Sequence, residues 1–223
     1  TRKLETLGLK RSIVLVLLNR QNWYGAFYTS LMNLPVYIIG AFMGSLYLTQ
    51  VDHMSVTQAS MISSMVYFGS MIGSPTMGWV SDKIGYRRVP MIIAAIISIA
   101  LVLYIIYTPH PPMLSLLLSF FALGFITSAQ VIGYPTVSEH NPHVLTGTAV
   151  SIVSMIVVLS GAVLLPVVGW ILDVSGAHKK INNVIHYSAG AYHHALVILP
   201  ATFVIALLMA ILIKETRCKP QCD

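Results

Sequence analysis

Apolar residues fill most of this chain in five long stretches, separated by short polar ones. No Asp, Glu, Lys or Arg occurs in 21–51, 53–81, 89–138, 140–172 or 181–213, and about 20 mainly apolar residues suffice for a helix to cross a bilayer. The stretch 89–138 is roughly twice that length. Thr108-Pro109-His110-Pro111-Pro112 interrupts it, because proline has no N–H to give and clashes with the turn before it. The pattern predicts six spans, 23–50, 56–80, 89–108, 113–137, 145–172 and 192–213, and stretches of this length exclude barrel strands. The fold class is therefore an all-α integral membrane protein, a bundle of six transmembrane helices. Residues 9–20 are apolar between basic ends but too short to cross, which predicts a helix lying in the cytoplasmic interface. Trp23 and Tyr24 then mark the headgroup level where the first span begins.

Composition agrees with a lipid environment: 56% of the 223 residues are hydrophobic and 9% charged, against about 25% charged in a soluble domain. Charge distribution adds orientation. The segment from Arg2 to Arg20, the loop 83–88 and the tail after the sixth span hold all the Lys and Arg except Lys179 and Lys180. Positive residues concentrate on the cytoplasmic side, so both termini are expected there. The net charge of +6 follows from that bias; with no basic groove or aromatic interleaving, it predicts no nucleic-acid partner. Cys218 and Cys222 sit on the tail, where a disulfide would staple nothing, and read as unpaired thiols. The first residues are polar and basic, so no cleavable signal peptide is expected, and the absence of an initial Met raises the expectation of further chain upstream.

Polar residues inside the spans are unevenly shared. The third and sixth spans are almost wholly aliphatic and are expected at the periphery, where lipid leaves nothing unsatisfied. The first, second, fourth and fifth carry Asn33, Tyr37, Gln58, Tyr67, Gln130, Tyr134, Ser151 and Ser154, which are costly facing hydrocarbon. Ser30, Asn33 and Tyr37, and likewise Thr127, Gln130 and Tyr134, follow i, i+3, i+7 spacing, so each set shares one helical face. Two readings are open: a solvated path between helices, or interhelical hydrogen bonds worth roughly 0.6 kcal/mol each. Gly69 with Gly73, and Gly161 with Gly169, are placed to let helices pack closely. Pro35, Pro75 and Pro166 are candidate kinks.

The most specific motif joins the second and third spans: Gly78-Trp-Val-Ser-Asp82-Lys83-Ile-Gly85-Tyr-Arg87-Arg88. It resembles the signature loop of the major facilitator superfamily, G-x-x-x-[DN]-[RK]-x-G-[RK]-[RK], and Gly78, Asp82, Lys83, Gly85, Arg87 and Arg88 match; Tyr86 lets the basic pair be placed in two registers. The resemblance implies a six-helix half of a transporter, with the loop gating the cytoplasmic side. On that reading Asp82 pairs with a basic neighbour and with the positive N-terminal end of the fifth span near Thr146-Gly147. Glu139, at the end of the fourth span, stands where family members keep an acidic partner for the loop. The interfacial segment, Asn22-Trp23 and the basic tail resemble the C-terminal half of bacterial members, and so does the stretch from Gly124 to Asp173.

The organisation expected is a cytoplasmic linker with its interfacial helix over 1–22, a six-helix half over 23–213 and a cytoplasmic basic tail over 214–223. The expected function is half of a secondary active transporter that moves a small organic solute by alternating access. Its partners would be membrane lipid, an N-terminal six-helix half and the solute, with a proton in the case of symport. The first and fourth spans would line the path, and the second and fifth would meet the other half. Asn33, Tyr37, Tyr67, Gln130 and Tyr134 are the candidate solute contacts; being neutral hydrogen-bonders and aromatics, they favour a neutral or zwitterionic solute. No charged residue lies mid-span, so a coupling carboxylate would belong to the other half. The alternative is a stand-alone six-helix protein that homodimerises or acts as a non-transporting scaffold. An enzyme is not expected, and neither is a cofactor. His178, His186, His193 and His194 on the loop before the sixth span match no common zinc spacing, and there is no nucleophile elbow or phosphate loop. The host membrane expected is a bacterial inner membrane.

Overall fold

The computed structural model describes residues 8–108, 111–175, 179–181 and 184–220. Arg2, Lys3, Pro109, His110, His178 and Cys222 lie outside the described residues. Six long helical spans follow one another: Arg20–Gln50, Val56–Ile84, Arg88–Tyr107, Met113–Glu139, His143–Ser175 and Ala189–Leu212. Among the described residues five of them are long and apolar enough to cross a membrane. The second, Val56–Ile84, has 29 residues, about 43 Å at 1.5 Å per residue, so it has the length with a more polar sequence. The 9–20 segment forms the helix Leu9–Leu18. Asn19 separates it from the first span and caps that span, its side-chain oxygen accepting from the Gln21 N–H at 3.1 Å.

Two spans leave regular α geometry at named places. The first is α-helical to Met32, π-helical over Val36–Met43 and α-helical again over Gly44–Gln50. Pro35 has no N–H for the preceding turn, and a wider π turn takes up the residue that no longer fits the α repeat. The fourth tightens to a 3-10 segment, Ser128–Ile132, between Met113–Thr127 and Gly133–Glu139. Pro75 and Pro166, the other two candidate kinks, lie inside the α-helices Val56–Ile84 and Thr146–Ser175.

The second and fourth spans form the tightest pair. Gly69 and Gly73 face the backbone of Phe121 and Phe125, and Gly124 faces the carbonyl of Val66, so a Cβ at any of the three would collide with the opposite main chain. Without side chains in the way, two helix backbones approach closely and gain dispersion contacts. Gly169 differs: an added Cβ would meet only Phe42, at 3.9 Å. The packing role expected for Gly169 is not borne by this chain's own contacts.

The main core joins all six spans through residues such as Tyr28, Met32, Met91, Phe120 and Phe203. A smaller cluster of Val16, Ala26, Val137, Leu145, Ala149, Val153 and Val157 seats the Leu9–Leu18 helix and one end of the fifth span. Over an 18-residue window of each, the third and sixth spans are 44% and 39% buried, less than the first and fourth at 56% each, and the fifth is 28% buried. The fifth span exposes a stripe at helical spacing, Met155, Val158, Leu159, Val163, Val167, Trp170 and Val174. An aliphatic sequence can be covered by other helices as readily as by lipid. Ser154 on the fifth span is exposed and satisfies itself on its own Val150 carbonyl at 3.1 Å.

At one end of the bundle, the chain between the fifth and sixth spans forms two short antiparallel strands, Lys179–Ile181 and Val184–His186. Gln50, at the end of the first span, accepts from the Tyr187 N–H and the Tyr192 hydroxyl at 3.0 and 2.9 Å. The Tyr187 hydroxyl donates to Asp173 at 2.6 Å, and that bond, followed by burial, raises its pKa above the ordinary phenol value.

Candidate functional site

Two polar assemblies stand out, one at the loop end of the bundle and one within the spans. The loop end is built around Arg87. Gly85 ends the second span in the left-handed region, φ +73°, with its N–H on the Ser81 carbonyl at 3.0 Å; a residue with a Cβ would be strained there. This turn brings Arg87 back beneath the helix it has just left. Its Nη1 donates to Asp82 at 2.5 Å and to the Ser81 hydroxyl at 3.1 Å. Nε and Nη2 form a fork on Glu139, with Nη2 at 2.7 Å from Oε1 and Nε at 3.1 Å from the same oxygen. The Arg87 side chain is 7% exposed and that of Glu139 11%, while Asp82 is 64% exposed. Burial alone would disfavour the charge on Arg87, but the hydrogen bonds to Glu139 and Asp82 outweigh it and raise its pKa.

Glu139 is thus the acidic partner of the loop. Asp82, expected to pair with a basic neighbour and with the N-terminal end of the fifth span, bonds to Arg87 within its own loop. The reason is geometric, because the Gly85 turn sets Arg87 between the two carboxylates and leaves Asp82 on the outer side. Lys83 lies over the Trp79 ring, 4.6 Å from its centroid. A Cβ at Gly78 would meet nothing within 4 Å, so no packing in this chain requires glycine there. Arg88 opens the third span, and its side-chain Nε is buried without a hydrogen-bond partner among the described residues.

The tail completes the assembly. Glu215 accepts from the backbone N–H groups of Arg87 and Arg88, each at 2.8 Å, satisfying donors that the start of the third span cannot use itself. Burial pushes the Glu215 pKa up, but the N–H groups of Arg87, Arg217, Arg88 and Thr216 outweigh that and hold it below the usual carboxylate range. The Thr216 hydroxyl bonds to Glu139. Cys218 approaches the Ser81 carbonyl at 3.7 Å, and burial raises its thiol pKa. Sequence reading treated 214–223 as a basic tail and missed Glu215 and Thr216. The available signal was Glu215 itself, one carboxylate among Lys214, Arg217 and Lys219 directly after an aliphatic helix.

The second assembly sits where the two irregular spans meet. Gln130 lies in the 3-10 segment of the fourth span, and its Nε2 donates to Asn33 Oδ1 at 2.7 Å, just before the break at Pro35. The Thr29 hydroxyl adds a bond to the Gln130 carbonyl at 3.2 Å. Both partners are half-buried. Of the two polar stripes, the first members are consumed by packing: Ser30 and Thr127 are buried, and Thr127 bonds back to Leu123 at 2.7 Å. The tyrosines diverge. Tyr37 lies against Gly161 of the fifth span, and Tyr67 lies against Gly40, its hydroxyl 3.5 Å from the Val36 carbonyl. Tyr134 packs against the smaller core. Gln58, expected to face an interior or a cavity, is instead exposed in the capping box that starts the second span with Ser55.

A third polar cluster, absent from the sequence reading, ties the Leu9–Leu18 helix to the fourth span. Asn22 and Asn141 exchange hydrogen bonds at 2.6 and 3.2 Å, Asn22 also donates to the Val16 carbonyl, and Asn19 donates to the His140 carbonyl. Among the described residues no group of three or more His, Cys, Asp or Glu is placed to hold a metal ion. His193 lies beside the Tyr107 ring instead.

No curated protein matches the chain in sequence. In structure it is similar to the xylose transporter XylE from E. coli in its inward-open conformation, with a TM-score of 0.69 at 14% identity. The match covers 87% of this chain but 47% of that one, so the chain spans about half the length of that relative. The model of the Major Facilitator Superfamily matches residues 25–220, from the first span through the tail that carries Glu215. A six-helix bundle of half-transporter size, built around this loop and matched over nearly its whole length, belongs to the major facilitator superfamily.

Proposed function

We propose that the chain is the C-terminal half of a secondary active transporter in a bacterial inner membrane, with both termini cytoplasmic. It moves a small, neutral or zwitterionic organic solute by rocking against an N-terminal six-helix half. The observation that carries this reading is the Asn33–Gln130 bond at 2.7 Å. It is a neutral pair between spans, set where both helices leave α geometry. Transporter sites are commonly built at such breaks, because irregular backbone is tolerated at membrane depth only where it faces protein or a cavity. A solute hydroxyl or amide can take either end of this bond, donating to Asn33 and accepting from Gln130, so the pair exchanges one neutral partner for another without exposing a charge. Tyr37 and Tyr67 flank the same stretch of the first span and supply aromatic walls; Tyr134, one turn beyond Gln130, packs against the smaller core and stands apart from this pair.

The exposed stripe of the fifth span and the exposed residues of the second, such as Met71 and Ile72, are the faces offered to the other half. The Arg87 assembly acts as the latch of the cytoplasmic side, holding the second, third and fourth spans and the tail as one body while the halves rock. Proton coupling, as symport, uses a carboxylate of the other half. The test is uptake into proteoliposomes by the complete transporter across a panel of neutral solutes, comparing the parent with Asn33→Ala and Gln130→Ala. Loss of uptake by at least about 10-fold in both, with normal assembly, is expected for groups that contact the solute. Undiminished uptake by both variants would overturn the site assignment.

A further inference from the structure

The loop end also carries a groove that the solute path does not use. It has a volume of about 340 Å³ and lies between the second and third spans, floored by the fourth. Val80 and Ile84 form one wall, Val89, Ile93 and Ile97 the other, and Phe125 closes the bottom. Its walls are almost free of polar atoms. Thr76 is the exception, and its hydroxyl is satisfied on its own Ile72 carbonyl at 2.7 Å, so a protein partner would find no hydrogen-bonding group in it.

The groove reaches the signature loop, since Ile84 and Val89 line it, and two cations of that loop end, neither of them lining the groove, form no ion pair among the described residues. Lys83 rides on the exposed Trp79 ring, one turn up the same helix. Arg217 lies over the Tyr86 ring, 6.0 Å from its centroid, where the loop turns between Ile84 and Val89. The exposed carboxylate nearest in the chain, Asp82, is bonded to Arg87 at 2.5 Å, so it leaves the charge of Lys83 uncompensated.

We propose that this groove holds one anionic phospholipid, an acyl chain laid along Val80, Ile93 and Phe125 and the phosphate held by Lys83 and Arg217. The apolar slot accepts a hydrocarbon chain and nothing polar, and basic sites between helices at the cytoplasmic surface select anionic headgroups. Trp79 and Tyr86 are the amphipathic rings expected at headgroup depth. The assignment to the cytoplasmic leaflet rests on the proposed orientation of the termini; the site itself rests only on embedding in a bilayer.

Native mass spectrometry of the full protein, stripped of lipid and returned to phosphatidylglycerol or phosphatidylcholine, tests this without any transport readout, so an inactive transporter leaves the result legible. Expected is one phosphatidylglycerol adduct that survives activation removing phosphatidylcholine. Its retention should fall about 10- to 30-fold in Lys83→Gln/Arg217→Gln, from the loss of two cations near the surface. Lys10→Gln/Arg11→Gln, which removes exposed basic residues on the Leu9–Leu18 helix, should retain it. Equal retention of both lipids, no loss in the Lys83/Arg217 variant, or equal loss in the Lys10/Arg11 variant would each overturn the proposal.

Discussion

Arg87 and Asn33 both make polar contacts between spans, and they solve the cost of burying polar groups in opposite ways. Arg87 is fully engaged: two carboxylates and a hydroxyl take its side chain, and a third carboxylate takes its backbone N–H. Asn33 meets Gln130 through one neutral bond, between half-buried groups on helices that are already irregular. A buried charge tolerates no missing partner, because what remains is an uncompensated ion. A neutral amide pair can lose its bond and find another at little cost. The loop end is therefore built to stay as it is, and the Asn33–Gln130 junction to be exchanged.

The largest effect separating the two should come from Arg87→Met. It leaves Glu139 buried without its cation, and breaking such a pair from one side costs about 3–5 kcal/mol; a large fall in the thermal midpoint of the detergent-solubilised protein is expected. Asp82→Asn, at an exposed carboxylate, should cost under about 1 kcal/mol in the same assay. If the two variants fall equally, the assembly is not organised around the Arg87–Glu139 contact.

Next in size is Glu215→Ala, which uncovers the first N–H groups of the third span. Loss of a helix cap costs about 0.5–2 kcal/mol, so an intermediate shift is expected, with faster proteolysis of the tail as a second readout. Glu215→Gln separates charge from shape through pH. The folded Glu215 pKa is lowered, so its contribution is present above the unfolded carboxylate value, near about 4.3. It is lost only as pH falls through the lower folded value. The parent's thermal midpoint should decline through that acid window more steeply than that of Glu215→Gln; parallel profiles would remove Glu215 from the acid response.

The smallest effect on stability belongs to Asn33→Ala and Gln130→Ala, roughly 0.6 kcal/mol each and at most about 1.7, by the same thermal assay. The comparison is sharpest if this pair barely moves the midpoint while abolishing uptake. A large loss of stability there would make the junction another fixed strut.

The six spans were legible because bilayer thickness writes itself into sequence as runs without charge. The loop was legible because a tight turn that ends a helix at a left-handed Gly85 and gathers a carboxylate and cations beside it is a dense local pattern. Much else was hidden for identifiable reasons. Gln58 looked like an intramembrane polar group, yet helix capping, which depends on where the first turn begins, claimed it. Glu215 lies more than a hundred residues from the backbone groups it serves, and periodicity carries no information about contacts at that range. The polar stripes were half informative: shared spacing fixed Asn33 and Gln130 on their helical faces, but only the 3-10 segment and the break at Pro35 decided that these two meet while Tyr134 turns to the smaller core. Aliphatic character likewise did not tell the exposed fifth span from the third and sixth, since a valine packs as well against a helix as against an acyl chain.

The bonds from Glu215 to Arg87 and Arg88 also order events during synthesis. They close a ring of 128 residues, from the first turn of the third span to the chain segment that follows the sixth. Arg87 and Glu139 emerge from the ribosome long before Glu215 does, so their ion pair can form while the last two spans are still being inserted. The N–H groups beside Arg87 must wait for water or another acceptor until the tail arrives. The tail thus seals a junction begun by residues made well before it, and a chain stopped short of Glu215 would carry all six helices with that seam left open.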